Sequence, residues 1–269
     1  MTDDDYRAIF EAIERTVIGE GPDAEVRRRA LEGFHQPKLL EQGDDAIYRQ
    51  LVMVTFYSGF RAATVTAKEH VILGHFPSVA VAAELTETDI ARVLEDPAMI
   101  RNERKIRACV TNARQMRELA AKHGSFASYV RAACGPDAVG DVPFENVLML
   151  AEDLQSRFEY LGEVTIYHLL TDLGLPVIKP DRVICRVLQR VEILSHESQL
   201  LRAILAGRRF SRVTGHSPRY VDRVIVALGQ VKTEEFLIER GVCSKTNPQC
   251  GKCHVAPRCG HAQRSHAKA

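Results

Sequence analysis

Apolar residues recur along most of the chain at helical spacing. From Ile106 they fall at Cys109, Val110, Ala113, Met116, Leu119 and Ala120, offsets of 3, 4, 7, 10, 13 and 14 that define one helix face. Arg104, Arg107, Arg114 and Arg117 lie elsewhere around the same helix. The series Ile184, Val187, Leu188 and Val191 repeats the pattern after Val183. Thr86, with Asp89 ahead of Ile90, Val93 and Leu94, reads as an N-cap with an acidic first turn. Period-2 alternation is scarce, and no Asn-Gly hairpin signal occurs. Loop signals fall at 19–22, 74–78, 135–143, 174–181 and 207–218. The pattern predicts an all-α protein of about ten helices of ordinary length.

The longest uncharged apolar stretches, 51–60 and 71–83, fall short of the roughly 18 residues a membrane helix needs, and His75 and Pro77 interrupt the second. The N-terminus, Met-Thr-Asp-Asp-Asp, has neither the basic nor the apolar region of a signal peptide. A cytoplasmic, nucleoid-associated protein without membrane contact is expected. The 269 residues suffice for one large domain or two modest ones, and 45% apolar with 26% charged residues is ordinary for a packed core. The net charge of +1 argues at first against a polyanionic partner, but the charge is unevenly placed. Residues 1–153 hold 18 Lys/Arg against 25 Asp/Glu, and residues 154–269 hold 18 against 10. A basic C-terminal portion beside an acidic N-terminal one suggests a polyanion on one face.

Four of the seven Cys form a cluster, Cys243-x6-Cys250-x2-Cys253-x5-Cys259. Four thiolates so close in sequence can wrap a metal centre, and both zinc and iron–sulfur clusters accept them. Pro248, Gly251, Pro257 and Gly260 punctuate the segment, as a chain winding about a centre requires. Cys109, Cys134 and Cys185 sit in helical patterns and read as small core residues.

This spacing, its C-terminal position and the preceding Phe-Leu-Ile-Glu-Arg-Gly resemble the iron–sulfur loop of endonuclease III and the mismatch adenine glycosylases. The resemblance implies a [4Fe-4S] cluster on Cys243, Cys250, Cys253 and Cys259, and the helix-hairpin-helix glycosylase fold. That fold should carry a hairpin followed by a catalytic Asp. Tyr160-Leu161-Gly162-Glu163-Val164-Thr165-Ile166 resembles the hairpin. Its Gly would permit a tight turn, and its backbone amides, with Tyr160, Leu161, Gly162 and Thr165 as the contact set, would hold a phosphate. About twenty residues on, Lys179-Pro180-Asp181-Arg182-Val183 places Asp181 where the superfamily has its catalytic carboxylate. Asp181 is equally suited to cap the helix starting near Arg182, and a helix N-terminus favours a negative charge. A fixed carboxylate stabilises the oxocarbenium-like state of N-glycosidic cleavage and can orient the attacking water. Superfamily members that also cut the backbone carry a Lys directly before the hairpin Thr. Val164 stands there, which implies a monofunctional enzyme without abasic-site lyase activity.

The centre of the chain resembles another branch, 3-methyladenine DNA glycosylase I, over roughly residues 46–175. The likeness rests on Tyr57-Ser58-Gly59-Phe60, on Met99-Ile100-Arg101-Asn102-Glu103-Arg104-Lys105-Ile106-Arg107-Ala108, on Asn112-Ala113-Arg114 and on Tyr160-Leu161-Gly162 leading to Thr165-Ile166. It implies excision of an alkylated purine, stacked in an aromatic pocket for which Phe56, Tyr57 and Phe60 are candidates, although each could equally be core. The departures are these: Val54 occupies the place of that branch's purine-reading Glu, Ala62 the place of a Trp, and that branch lacks the catalytic Asp and the iron–sulfur loop. The chain thus combines an alkyl-purine-like barrel with an endonuclease-III-like chemistry end. Lys105 and Arg104 at a helix start, the loop cations Arg208, Arg209 and Arg212, and Lys245, Lys252 and Arg258 around the cysteines are candidate phosphate contacts.

The expected architecture is two-lobed: a six-helix barrel with the hairpin over 41–178, and an iron–sulfur lobe from 1–40 plus 179–269. A monomer would bind double-stranded DNA with a damaged base across the cleft between the lobes. Two other readings stay open: a glycosylase for deaminated or mismatched bases, and a zinc-stabilised DNA-binding module without catalysis.

Overall fold

The computed structural model describes residues 1–19, 23–35, 39–135, 142–230 and 237–266, the side chains of the last segment as far as 264. The described residues form helices joined by turns and loops, with no β-strand among them. The chain divides into two compact units, Met1–Pro37 with Pro176–Ala269, and Lys38–Leu175.

The first unit holds α1 (Asp3–Ile18), α2 (Asp23–Glu32), α12 (Arg182–Arg190), α13 (Leu200–Thr214), α14 (Pro218–Gly229) and α15 (Gly260–His266). Thr2 and Asp5 close a capping box on α1, and its face of Tyr6, Ile9, Phe10, Ile13 and Val17 is buried. Tyr6 and Phe10 flank Phe210 of α13, with ring centroids 4.9 and 5.7 Å away. The predicted face Ile184, Val187 and Leu188 of α12 is fully buried in the same core.

Glycines inside two of its helices let elements of this unit approach closely. A Cβ on Gly207 would stand 2.4 Å from Ile178 Cγ1, and one on Gly229 would stand 2.7 Å from Val183 Cγ1. Gly207 therefore sits inside α13, buried, where the sequence suggested a loop. Its role is close packing against Ile178, so the helix runs unbroken through it. Arg208, Arg209 and Arg212 are accordingly helical. Arg208 donates to the Pro176 carbonyl at 3.0 Å, while Arg209 and Arg212 reach Asp3 at 2.7 and 3.4 Å.

The second unit holds α3 (Asp44–Tyr57), α4 (Ala62–Thr66), α5 (Glu69–His75), α6 (Val79–Ala83), α7 (Glu87–Glu95), α8 (Glu103–His123), α9 (Phe126–Cys134), α10 (Phe144–Arg157) and α11 (Thr165–Asp172). Three of these nine are short, α4 to α6, and they raise the helix number above the sequence expectation. The other six have eight residues or more. The long α8 follows the predicted apolar series, and α7 opens on the predicted Thr86–Asp89 capping box. Helix α3 is buried from Leu51 to Phe56. Its Tyr48 hydroxyl donates to the Cys109 carbonyl of α8 at 3.0 Å, and its Asp44 carboxylate caps α9 through the amides of Phe126 and Ala127. The suggested loops at 19–22 and 135–143 fall largely outside the described residues.

Candidate active site and nucleic-acid contacts

The hairpin lies in the second unit, at residues 158–164 between α10 and α11. Phe158 and Leu161 are buried and anchor it. Asn112 of α8, buried, clasps Glu159 on both sides: its amide donates to the Glu159 carbonyl at 3.1 Å, and the Glu159 N–H donates to its oxygen at 2.8 Å. Tyr160, rather than Gly162, takes the left-handed backbone, at φ +64°. A Cβ on Gly162 would meet only Thr165 Oγ1, at 3.9 Å, so neither conformation nor crowding demands that glycine. The Thr165 hydroxyl accepts from the Gly162 N–H at 2.7 Å and donates to the Tyr160 carbonyl at 2.6 Å. The Gly162 amide is thus engaged within the turn. The amides after it open α11 under Val164, whose side chain makes no cap. Uncapped N-terminal amides of this kind are the ones a helix offers to an outside anion.

Beneath the hairpin, Lys105 is 3% exposed. Its ammonium donates to the Thr55 carbonyl and lies 4.1 Å from the Tyr160 ring centroid and 5.7 Å from that of Phe60. Burial pushes its pKa down to about 8. Lys105 is therefore no surface phosphate contact. Against the cost of desolvation it is held inward, where it joins α3, the hairpin and the 58–61 turn through a carbonyl and two aromatic faces. Arg104, its neighbour, is exposed. The three pocket candidates separate. Phe56 is fully buried core. Phe60 is 37% exposed and Tyr57 half-buried, with its hydroxyl 3.0 Å from Thr66 Oγ1 and its ring 6.0 Å from His168. Val54, in the place of the purine-reading Glu, is also fully buried.

In the first unit, Asp181 is the N-cap of α12. One carboxylate oxygen, Oδ1, accepts from the amides of Val183 at 2.8 Å and Ile184 at 3.0 Å. The other, Oδ2, stands 3.7 Å from the Lys179 ammonium, and the side chain keeps 23% of its exposure. The cap and the chemical candidate are thus the same group, with one oxygen for each.

The four clustered cysteines line one small cavity in this unit, together with apolar Val242, Pro248, Ala256 and Ala262. The Arg190 guanidinium reaches Cys243 Sγ at 3.2 Å and the Ser244 carbonyl at 2.9 Å. Burial raises the thiol pKa of Cys250 and Cys253. Among the described residues, no three His, Cys, Asp or Glu converge closely enough to hold a single metal ion. Lys245 and Lys252 are exposed on the loop, and Arg258 reaches Asp5 at 3.4 Å. Cys109, Cys134 and Cys185 are buried, and burial pushes the latter two thiols up to about 11.

The family model described as methyladenine glycosylase matches residues 36–187, more than half of the chain. The chain belongs to the methyladenine glycosylase family. Its partner on that ground is DNA. Among solved structures, the glycosylase is similar to a mutant of 3-methyladenine DNA glycosylase I from Staphylococcus aureus. That match has 21% identity and a TM-score of 0.44, and covers 52% of this chain and 81% of that one. It is similar also to a variant of 3-methyladenine DNA glycosylase I in complex with 3-methyladenine, at 20% identity and a TM-score of 0.45, covering 58% and 88%. A third similar structure, of 3-methyladenine DNA glycosylase I from Staphylococcus aureus, has 20% identity and a TM-score of 0.45, covering 58% and 87%.

The family match takes in α3, Lys105, the hairpin and Asp181, and stops within α12, before the cysteine loop. No helix among the described residues is long and apolar enough to cross a membrane. Two side chains of the glycosylase that hold the backbone beside candidate residues were given no role from sequence, although Asn112 was part of the family likeness. One is Asn112, whose signal was a polar residue on the apolar stripe of α8. The other is Asp222 of α14, 7% exposed, which accepts from the Lys179 N–H at 2.9 Å and so fixes the backbone two residues before Asp181. Burial, reinforced by the charge of Asp181, pushes its carboxyl up to about 6.

Proposed function

We propose that the protein is a monofunctional DNA glycosylase that removes an alkylated purine, 3-methyladenine foremost, by hydrolysis. The observation that carries this reading is the split role of Asp181 in a chain of the methyladenine glycosylase family. One oxygen is immobilised by two helix amides, and the other accepts from no amide and lies 3.7 Å from the Lys179 ammonium. With the damaged nucleotide flipped out of the duplex, the bond from C1′ to the base nitrogen breaks and its electron pair leaves with the base. A purine made cationic by methylation departs as the neutral base and needs no acid. The deoxyribose carries the positive charge, which the Asp181 carboxylate faces. Water adds at C1′ and passes its proton to that carboxylate. The amides that open α11 grip a phosphate and set the register on the strand without reading sequence. With Val164 before Thr165, the hairpin supplies no amine for a Schiff base, so the product is an intact abasic site. Borohydride trapping checks this, and an efficient covalent enzyme–DNA adduct overturns it.

We further propose that Cys243, Cys250, Cys253 and Cys259 hold a [4Fe-4S] cluster. An all-thiolate donor set around one apolar-walled cavity, with Arg190 against a sulfur to offset negative charge, suits a cluster better than a single ion, whose ligands must converge on a point. The bound cluster supplies a cross-link that ties the loop to the end of α12. Absorbance near 400 nm in purified protein and iron analysis test it. Zinc in place of iron would restore the reading of a zinc-stabilised binding module.

The substrate test is a panel of duplexes carrying 3-methyl- and 7-methylpurines, hypoxanthine, uracil or mispaired adenine, scored for excision after alkaline cleavage. Preference for 3-methyladenine is expected. One observation favours the second reading, a deaminated or mismatched base. Val54 replaces the family's Glu, and the Lys105 ammonium stands beside Phe60 and Tyr160, an environment that disfavours a cationic base. Excision of hypoxanthine or uracil with methylpurines untouched would install that reading.

A further inference from the structure

A cavity of about 700 Å³ opens in the first unit, walled by the end of α12, the segment before α13, the cysteine loop and α15. Five of its lining side chains are cations, Arg186, Arg190, Arg202, Lys245 and Arg264, against two carboxylates, Glu192 and Glu197. Arg190 is engaged with Cys243 and Ser244, and Arg264 with Glu192 at 3.0 Å. Arg186 is different. It is only 9% exposed, its two terminal nitrogens donate to the carbonyls of Gly229 at 2.8 Å and Arg182 at 3.4 Å, and its Nε has no hydrogen-bond partner among the described residues. Its Nε is closed to solvent and its terminal nitrogens meet only neutral carbonyls, so the buried charge has no counter-ion in contact among the described residues and would be offset by an anion held in the adjoining cavity.

We propose that this cavity binds a phosphate group, with Arg186, Arg202 and Lys245 as its cations. The lining favours phosphate over a base. It is strongly cationic and polar, and His261 is the only ring among its described lining residues, so no purine or pyrimidine finds a broad stacking face there. Phosphate can come from the backbone of bound duplex or from a free anion. The duplex source rests on the reading of the chain as a DNA glycosylase, and the free-anion measurement does not.

The test uses full-length protein, its Arg202→Ala variant, the more conservative Arg186→Lys, and Arg92→Ala as a control for charge loss elsewhere. Calorimetry with inorganic phosphate and pyrophosphate, and anisotropy of an undamaged duplex over a salt series, are read on all four. Pyrophosphate is expected to bind the wild type and the control, and at least tenfold more weakly to Arg202→Ala and Arg186→Lys. Duplex should displace it, and the log–log salt slope for duplex should flatten by about 0.9 for each phosphate no longer neutralised. Pyrophosphate binding that duplex does not displace supports the phosphate site and assigns it a free anion. Absence of phosphate binding, or equal binding by all four proteins, overturns the proposal. Excision is not a readout here, so a protein that excised nothing would still decide the matter.

Discussion

Replacing Asp181 by Asn separates the two roles its carboxylate combines. Asn keeps an oxygen where Oδ1 accepts from Val183 and Ile184, so the cap on α12 survives. What disappears is the charge. A carboxylate about 4 Å from a developing positive charge, at an effective dielectric of ~20, contributes about 4 kcal/mol. That corresponds to about a thousandfold in the chemical step. Asp181→Asn should therefore lower single-turnover excision of 3-methyladenine by about 10³, with duplex binding unchanged and the thermal midpoint nearly so. Asp181→Ala should lose the activity and the cap together. The cap is worth about 1 kcal/mol, or a midpoint lower by about 3 °C. Quenched single-turnover assays on a methylated duplex, anisotropy and thermal unfolding of the three proteins supply the numbers. If Asp181→Asn excises within tenfold of wild type, the electrostatic role is wrong. If Asn and Ala destabilise equally, the division of labour between the two oxygens is wrong.

Lys105 holds a pKa of about 8 in the folded protein against an ordinary 10.5, so between those values the unfolded chain binds the proton that the folded one lacks. Stability should rise with pH across that window, by up to about 3 kcal/mol, and Lys105→Met should abolish the rise; urea midpoints of both proteins from pH 7.5 to 10.5 check the sign. Asn112→Ala breaks both bonds to Glu159 and leaves buried groups unpaired, an expected cost of about 2–3 kcal/mol. Duplex affinity should fall with it as the hairpin loosens, and a variant of full affinity would show that the clasp does not position the hairpin. Gly229→Ala puts a Cβ into Val183 and Val187 and should cost about 1–3 kcal/mol while displacing α12 and lowering excision. Val183→Ala in the same chain should restore both, and failure to do so would remove α12 displacement as the cause.

What the sequence made legible was periodic or local. The faces of α8 and α12, the Thr86 cap and the capping position of Asp181 each depend on residues within a turn or two of one another. What it concealed was tertiary. Gly207 and a run of arginines look like a loop until Ile178 is seen to require a missing side chain at 207. Lys105 looks like a surface cation at a helix start, yet the Thr55 carbonyl that draws it inward lies fifty residues away. Gly162 seemed to be the residue the hairpin needed, whereas the chain bends at Tyr160, whose strain is offset by the Asn112 clasp and the Lys105 ammonium against its ring. The cysteine spacing was explicit, but Arg190, which reaches Cys243, and Asp222, which fixes the Lys179 backbone two residues before Asp181, come from other elements and leave no local signature.

The charge asymmetry changes meaning once the chain is folded. Counted by unit, the first carries 22 Lys/Arg against 16 Asp/Glu and the second 14 against 19. The basic C-terminal stretch and the acidic N-terminal helix belong to the same unit and partly neutralise each other, as Asp3 does with Arg209 and Arg212, and Asp5 with Arg258. The hairpin, basic by its position in sequence, belongs to the acidic unit. On the proposed function, its grip on a phosphate comes from oriented amides at the start of α11 rather than from side-chain cations. Amide contacts of this kind release few counterions and leave the salt dependence nearly flat. The salt-sensitive part of DNA affinity falls instead to the first unit, where Lys245, Lys252 and Arg202 are exposed. Neutralising those three should flatten the salt slope far more than any change in the hairpin, whereas hairpin changes should weaken binding about equally at all salt concentrations.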